Sequence, residues 1–168
     1  MDVLRSLAPV SAAYAGLAIG DAFTWQTASR RLGNGEWYLV AFRSVRRPGA
    51  DEDRLNEYDE MAHQEAASAP GFVHYFKGPL NTEGSCLSFC LWQSRAEARS
   101  AATGAAHREA VTLLHEMYES YALEFHRVWR EAGGPLMFEP YDRPQPAVVD
   151  PLPDVRTPGL TVRPAAAF

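Results

Sequence analysis

Histidine changes charge nearest neutrality and is the natural side chain for moving protons. The chain has five: His63, His74, His107, His115 and His126. Placed about 100° per residue around a helix, His107 falls near the centre of a stripe with Val111, Leu114 and Tyr118. It should therefore point at whatever that helix packs on. His63 follows Asp59 by four residues, a spacing at which helix neighbours touch. A carboxylate there could orient and charge the imidazole for acid–base work; a solvated surface pair has the same spacing. His115 lies on the border of its stripe, and His74 and His126 fall in strand-like segments where a structural role is expected. A metal set of His63, His107 and His115 is conceivable. None shows a close ligand spacing such as H-x-x-x-H, so no metal is expected.

The stretch SCLSFCLWQS (85–94) reads as a strand, in which alternate residues share a face. Leu87, Phe89, Leu91 and Gln93 form one face. Cys86, Ser88, Cys90 and Trp92 form the other: three small side chains and then the largest one. That second face could leave room for a ligand, with Trp92 as a wall. It could equally let two layers approach closely. Four residues apart on a strand, the two cysteines have Cα atoms roughly 13 Å apart, beyond disulfide reach. Free thiols suit a reducing cytosol, and a cytoplasmic protein is expected. Neither thiol has a nearby charge to activate it, so covalent catalysis is not expected.

These groups need a scaffold. At 168 residues, the chain fits one domain with tails. A net charge of −5 gives no electrostatic footprint for nucleic acid or an anionic membrane. No apolar run reaches the roughly 20 residues of a membrane span. The segment 7–20 only faintly resembles an export signal: Asp2 spoils a positive start, and Pro9 and Ser11 interrupt the run. There is no G-x-G-x-x-G or P-loop, so no nucleotide cofactor is expected.

The run WYLVAFRSV (37–45) predicts a buried strand. Residues 50–69 take a helical period, with Leu55, Tyr58, Ala62, Ala66 and Ala69 on one stripe and acidic groups in the first turn. A-P-G (69–71) stops that helix, and FVHYFK (72–77) predicts a second strand. Ser94 to Glu97 is a capping box opening a second, alanine-rich helix that Gly104 could kink. Residues 120–129 fit a helix or a strand. We take the strand, because it completes a β-α-β-β-α-β pattern, and a further short strand is expected at 136–140. This is the ferredoxin-like α+β arrangement. Two helices cover one face of such a sheet, so the other face is expected to be buried on a second copy, giving a homodimer barrel. The expected divisions are an N-terminal extension (1–36), the α+β barrel domain (37–142) and a proline-rich extended or disordered arm (143–168).

Strand, acidic helix, A-P-G-F, hairpin, W-x-S and an alanine-rich helix with a late histidine together resemble the dimeric α+β barrel proteins of the antibiotic biosynthesis monooxygenase type. The resemblance spans roughly residues 37–130. It is carried by Pro70-Gly71-Phe72, Trp92-Gln93-Ser94 and His107-Arg108-Glu109-Ala110. It implies a ligand pocket between sheet and helices within each subunit. It also implies cofactor-independent oxygenation of an aromatic or polyketide-like small molecule, by proton removal from a phenol or enol and reaction of the carbanion with oxygen. The catalytic candidates are then His107, Trp92, His63 and Asp59. Cys86, Ser88, Cys90, Tyr58 and Tyr118 are the candidate substrate contacts. The asparagine, tyrosine and arginine set of some such oxygenases finds no match by motif, and a cyclase or isomerase could use the same base. Two alternatives stand beside this reading. One is a haem-binding or haem-degrading protein with His107 as axial ligand; the other is a non-catalytic dimeric binding or accessory protein.

Overall fold

The apolar run around residue 40 becomes the central strand of the molecule. In the computed structural model, which describes residues 4–141 and the backbone of 145–147, β1 spans Gly35–Arg46. It pairs with β3 (Ser85–Trp92) on one side and β4 (Tyr118–Arg130) on the other. β2 (Phe72–Phe76) lies outside β3, and β5 (Met137–Pro140) outside β4. The order β2-β3-β1-β4-β5, with every pairing antiparallel, is the ferredoxin-like sheet with an added edge strand. β6 (Gln145–Ala147) also pairs with β4; the rest of the expected proline-rich arm lies outside the described residues. Residues 120–129 are strand, as expected.

Local signals set the helix ends. Asp51 caps α3 (Glu52–Ala67) by accepting the Arg54 N–H at 3.0 Å. Ser94 caps α4 (Arg95–Ala101) by accepting the Glu97 N–H at 3.2 Å. The second helix is broken rather than kinked. α5 (Ala105–Thr112) restarts at Gly104, and a single turn, α6 (Leu114–Met117), leads into β4. Tyr118, expected on a helical stripe, is the first residue of β4. A side-chain carboxylate approaches Gly104 closely. The Glu65 carboxylate accepts the Ala106 and His107 N–H groups at 3.3 and 3.0 Å, and a Cβ on Gly104 would lie 2.1 Å from that carboxylate.

Helices α3 to α6 lie on one face of the sheet; the other face is covered by residues 4–32 of the same chain. This strap contains α1 (Ile19–Ala22), α2 (Trp25–Ala28) and single 3-10 turns at Tyr14–Gly16 and Ser29–Arg31. Leu4, Leu7, Tyr14, Ile19, Phe23, Trp25 and Leu32 are buried in one cluster with Leu39, Leu87, Phe89, Leu91 and Val128 of the sheet. Phe23 alone meets the rings of Tyr14, Trp25, Phe76 and Phe89 at centroid distances of 4.9–5.8 Å. Polar ties hold the strap down. Arg43 donates to the Ala15 and Leu17 carbonyls and pairs with Glu124 at 2.7 Å, and Arg130 donates to the Ser29 carbonyl at 2.7 Å.

This corrects the reason for expecting a homodimer. Leu87, Phe89 and Leu91 were to meet a second copy, yet all three are already inaccessible within one chain. The strap supplies the apolar layer that a partner sheet was invoked to provide. Within the expected N-terminal extension, residues 4–32 thus belong to the hydrophobic core of the domain. The stretch 7–20, with its faint look of an export signal, packs into the core through Tyr14, Ala15 and Ile19.

Candidate active site

On the helix side, alternation along the three central strands presents Tyr38, Val40, Phe42, Ser44 and Arg46 from β1, Cys86, Ser88, Cys90 and Trp92 from β3, and Tyr121, Leu123 and Phe125 from β4. These residues form the floor of a cavity of about 390 Å³, roofed by α3 and α5, a size that suits a small organic ligand. The thiols are free. Trp92 closes one end, packed among Tyr38, Phe72 and Phe125 and the alanines 66, 69, 98 and 101 of the helical layer. Alanines there keep the roof close without filling the hollow.

All nine candidate residues line this one cavity: His107, Trp92, His63, Asp59, Cys86, Ser88, Cys90, Tyr58 and Tyr118. The helix-facing side of β3 is thus a cavity wall. One expected pair is replaced. Asp59 does not serve His63. Its carboxylate accepts the Tyr75 hydroxyl at 2.5 Å and pairs with the Lys77 ammonium at 2.8 Å. Lys77 also donates to Asn56 at 2.9 Å. The reason is geometric: β2 runs beside α3 and brings two better-placed donors than the imidazole one turn along. The His63 ring instead lies 4.9 Å from Tyr75 and 6.1 Å from Phe72.

His107 stands in the first turn of α5, which Glu65 holds. Burial pushes its imidazole below the usual histidine range, with the Glu65 charge partly opposing. It is therefore neutral at pH 7, the form that can accept a proton. Burial raises the phenols of Tyr75, Tyr118 and Tyr121. They stay protonated and can donate hydrogen bonds. Burial also raises the Cys90 thiol, to about 12, with Asp59 adding to the shift; this leaves it a poor nucleophile.

The other histidines are elsewhere. His74 is buried on the strap side, His126 pairs with Glu124 at 3.4 Å, and His115 is exposed. Among the described residues, no three His, Cys, Asp or Glu side chains are grouped as a metal ion would require. No helix among them is long and apolar enough to cross a membrane.

Asn56, Tyr75, Lys77, Tyr121 and Arg46 also line the cavity and were not singled out from sequence. The alternation from Tyr38 to Arg46 contained the signal for Arg46. Tyr75 could have been found by placing it opposite Cys90, its partner in the ladder. Asn56 and Lys77 depend on how α3 crosses β2, which no local pattern states.

Solved structures with similar backbones include SnoaB, a cofactor-independent oxygenase from Streptomyces nogalater. It is 15% identical, with 58% of this chain and 94% of that chain covered and a TM-score of 0.44. Rv0793 from Mycobacterium tuberculosis is 16% identical, covering 53% and 91%, with a TM-score of 0.48. A dimeric ferredoxin-like protein of unknown function from Thermobifida fusca is 11% identical, covering 55% and 92%, with a TM-score of 0.45. No curated protein matches the chain. The family model described as PB2B2.08-like matches residues 1–138, strap and sheet together. The chain belongs to the PB2B2.08-like family.

Proposed function

We propose that this protein is a small-molecule enzyme, a monooxygenase that uses no nucleotide cofactor and acts on a flat aromatic or polyketide-like substrate held between sheet and helices. The observation that carries this reading is the coincidence of Trp92, His63, His107 and the small Cys86–Ser88–Cys90 wall around one cavity. Trp92 and Phe125 offer ring surfaces for a planar substrate. Neutral His107 removes a proton from an activated C–H group of an electron-rich phenol or enol. The carbanion then reacts with molecular oxygen. One oxygen atom stays on carbon as a carbonyl, and the other leaves as water, reduced by the substrate's own electrons. Asp59, tied to Tyr75 and Lys77, shapes the wall beside His63 and does not itself relay the proton.

Oxygen uptake with hydroxyanthrone-type substrates and no added cofactor tests this. Uptake should fall at least about a hundredfold in His107→Ala, the usual scale of acid–base catalysis. It should rise with pH through a value below the ordinary histidine pKa and then stay level, because the base works in its neutral form. Uptake that requires added flavin would reject the cofactor-free reading. A haem absorption band that forms with haemin and is lost in His107→Ala would favour haem binding instead.

A further inference from the structure

We propose that the end of the cavity away from Trp92 is a subsite for an oxyanion attached to an aromatic ring, with Arg46 as its charged donor and Tyr118 as its neighbour. This rests on reading the cavity as a ligand site and specifies one end of it. Arg46 is the last residue of β1 and lines the cavity. Its Nη1 pairs with Glu52 at 2.9 Å, and its side chain is 18% exposed. Its Nε is buried and has no hydrogen-bond partner among the described residues. A buried guanidinium donor left unpaired is costly, and the Nε edge of arginine fits a carboxylate or a delocalised enolate.

The strand pairing supplies a second, independent observation. Ser44 faces Tyr121 and Val45 faces Ser120, but Arg46 faces Tyr118, because a β-bulge drops one residue from the ladder. The dropped residue is Glu119, which is exposed. With a regular register, Glu119 would stand opposite Arg46, a carboxylate placed to neutralise it. The bulge replaces that carboxylate with a phenol. Tyr118 packs with Leu55, Leu113 and Met117 on one side, and its ring lies 5.6 Å from Tyr121. These apolar neighbours limit water at this end and strengthen any charge–charge contact there. The far end, around Trp92, Tyr38 and Ala98, is apolar. A ligand matching both ends has its ring near Trp92 and its anionic oxygen at Arg46.

Calorimetric titration with three probes at pH 7 tests the proposal: 2-naphthoate, the acidic enol 2-hydroxy-1,4-naphthoquinone, and neutral 2-naphthamide. The first two separate a carboxylate from a ring-conjugated enolate. At least one anion should bind about tenfold or more tightly than the amide, the scale of a charged hydrogen bond. Arg46→Gln should bring that ratio to about one and leave amide binding unchanged. Glu52→Gln, which removes only the Nη1 partner, should keep or raise the ratio. An amide that binds wild-type protein as tightly as both anions would overturn the subsite while leaving the cavity reading intact. So would an anion preference that survives Arg46→Gln. If none of the three binds, the cavity reading itself fails.

Discussion

On β3, Phe89 is enclosed by the rings of Phe23, Trp25 and Phe76 at centroid distances of 5.0–5.6 Å. Cys90, the next residue, borders a hollow of about 390 Å³. One strand thus serves two layers with opposite requirements. The strap face is packed solid by aromatic side chains, which gain both burial and ring–ring contact. The helix face carries small side chains under alanine-rich helices, with few atoms to fill the space. Burial is concentrated on the first face and open volume on the second. The strap permits this division. By burying the sheet's other face within one chain, it leaves the helix face free to stay hollow.

Adjacent substitutions on β3 would break the comparison most sharply. Phe89→Ala should cost ~3–5 kcal/mol in urea unfolding. Cys90→Ala should cost less than ~1 kcal/mol, because its side chain already borders open space. Equal costs would mean that the two faces are packed alike. Cys90→Phe should leave the unfolding midpoint nearly unchanged and abolish binding of an aromatic probe.

Acid should attack the strap face next. The hydrogen bond from His126 and the Arg43 guanidinium hold the Glu124 carboxyl at about 2 against an ordinary 4.5. A depressed carboxylate contributes stability that is present above the unfolded value and lost as pH falls toward the folded one. About 3 kcal/mol should therefore disappear between pH 4.5 and 2. Glu124→Gln should flatten that part of the stability–pH curve; an unchanged curve would contradict the assignment. Sedimentation of the full chain gives its mass in solution. A stable dimer would require an interface other than the face that the strap covers.

The smallest expected effect links the two faces. The Tyr14 hydroxyl of the strap donates to the Pro79 carbonyl at 2.6 Å and lies 2.4 Å from where a Cβ on Gly78 would sit. Gly78 donates to Ser88 Oγ at 3.0 Å and accepts from the Cys86 thiol at 3.2 Å, both on the cavity wall. Tyr14→Phe should cost ~1 kcal/mol, measurable as a lower midpoint in thermal unfolding.

Much of the scaffold was legible because its signals are local. The capping box at Ser94, the acidic start of α3, the apolar run of β1 and the alternation of β3 each fix an element or a face within a few residues. The strap was not legible. Its helical turns are three or four residues long, and its apolar side chains show no sustained period; only contact with a distant sheet gives them a place. The same gap produced the reason given for a homodimer, since a face left bare by two helices calls for a partner when no local element is seen to cover it. In the site, the small-residue wall could be read from strand alternation; the helical stripe drawn through His107 is broken, because α5 ends at Thr112 and Tyr118 begins β4. The Asp59–Tyr75–Lys77 cluster and the opposition of Arg46 to Tyr118 depend on strand register and a bulge, which are tertiary facts.

Amide chemical-shift mapping with the tighter-binding of the two anions, 2-naphthoate or 2-hydroxy-1,4-naphthoquinone, tests the central claim most directly. The two-face account predicts saturable shifts at Val40, Cys90, Trp92 and His107, and none at Phe23, Trp25 or Ile19 in the strap. Shifts centred on the strap, or saturation with no change around Trp92, would contradict it.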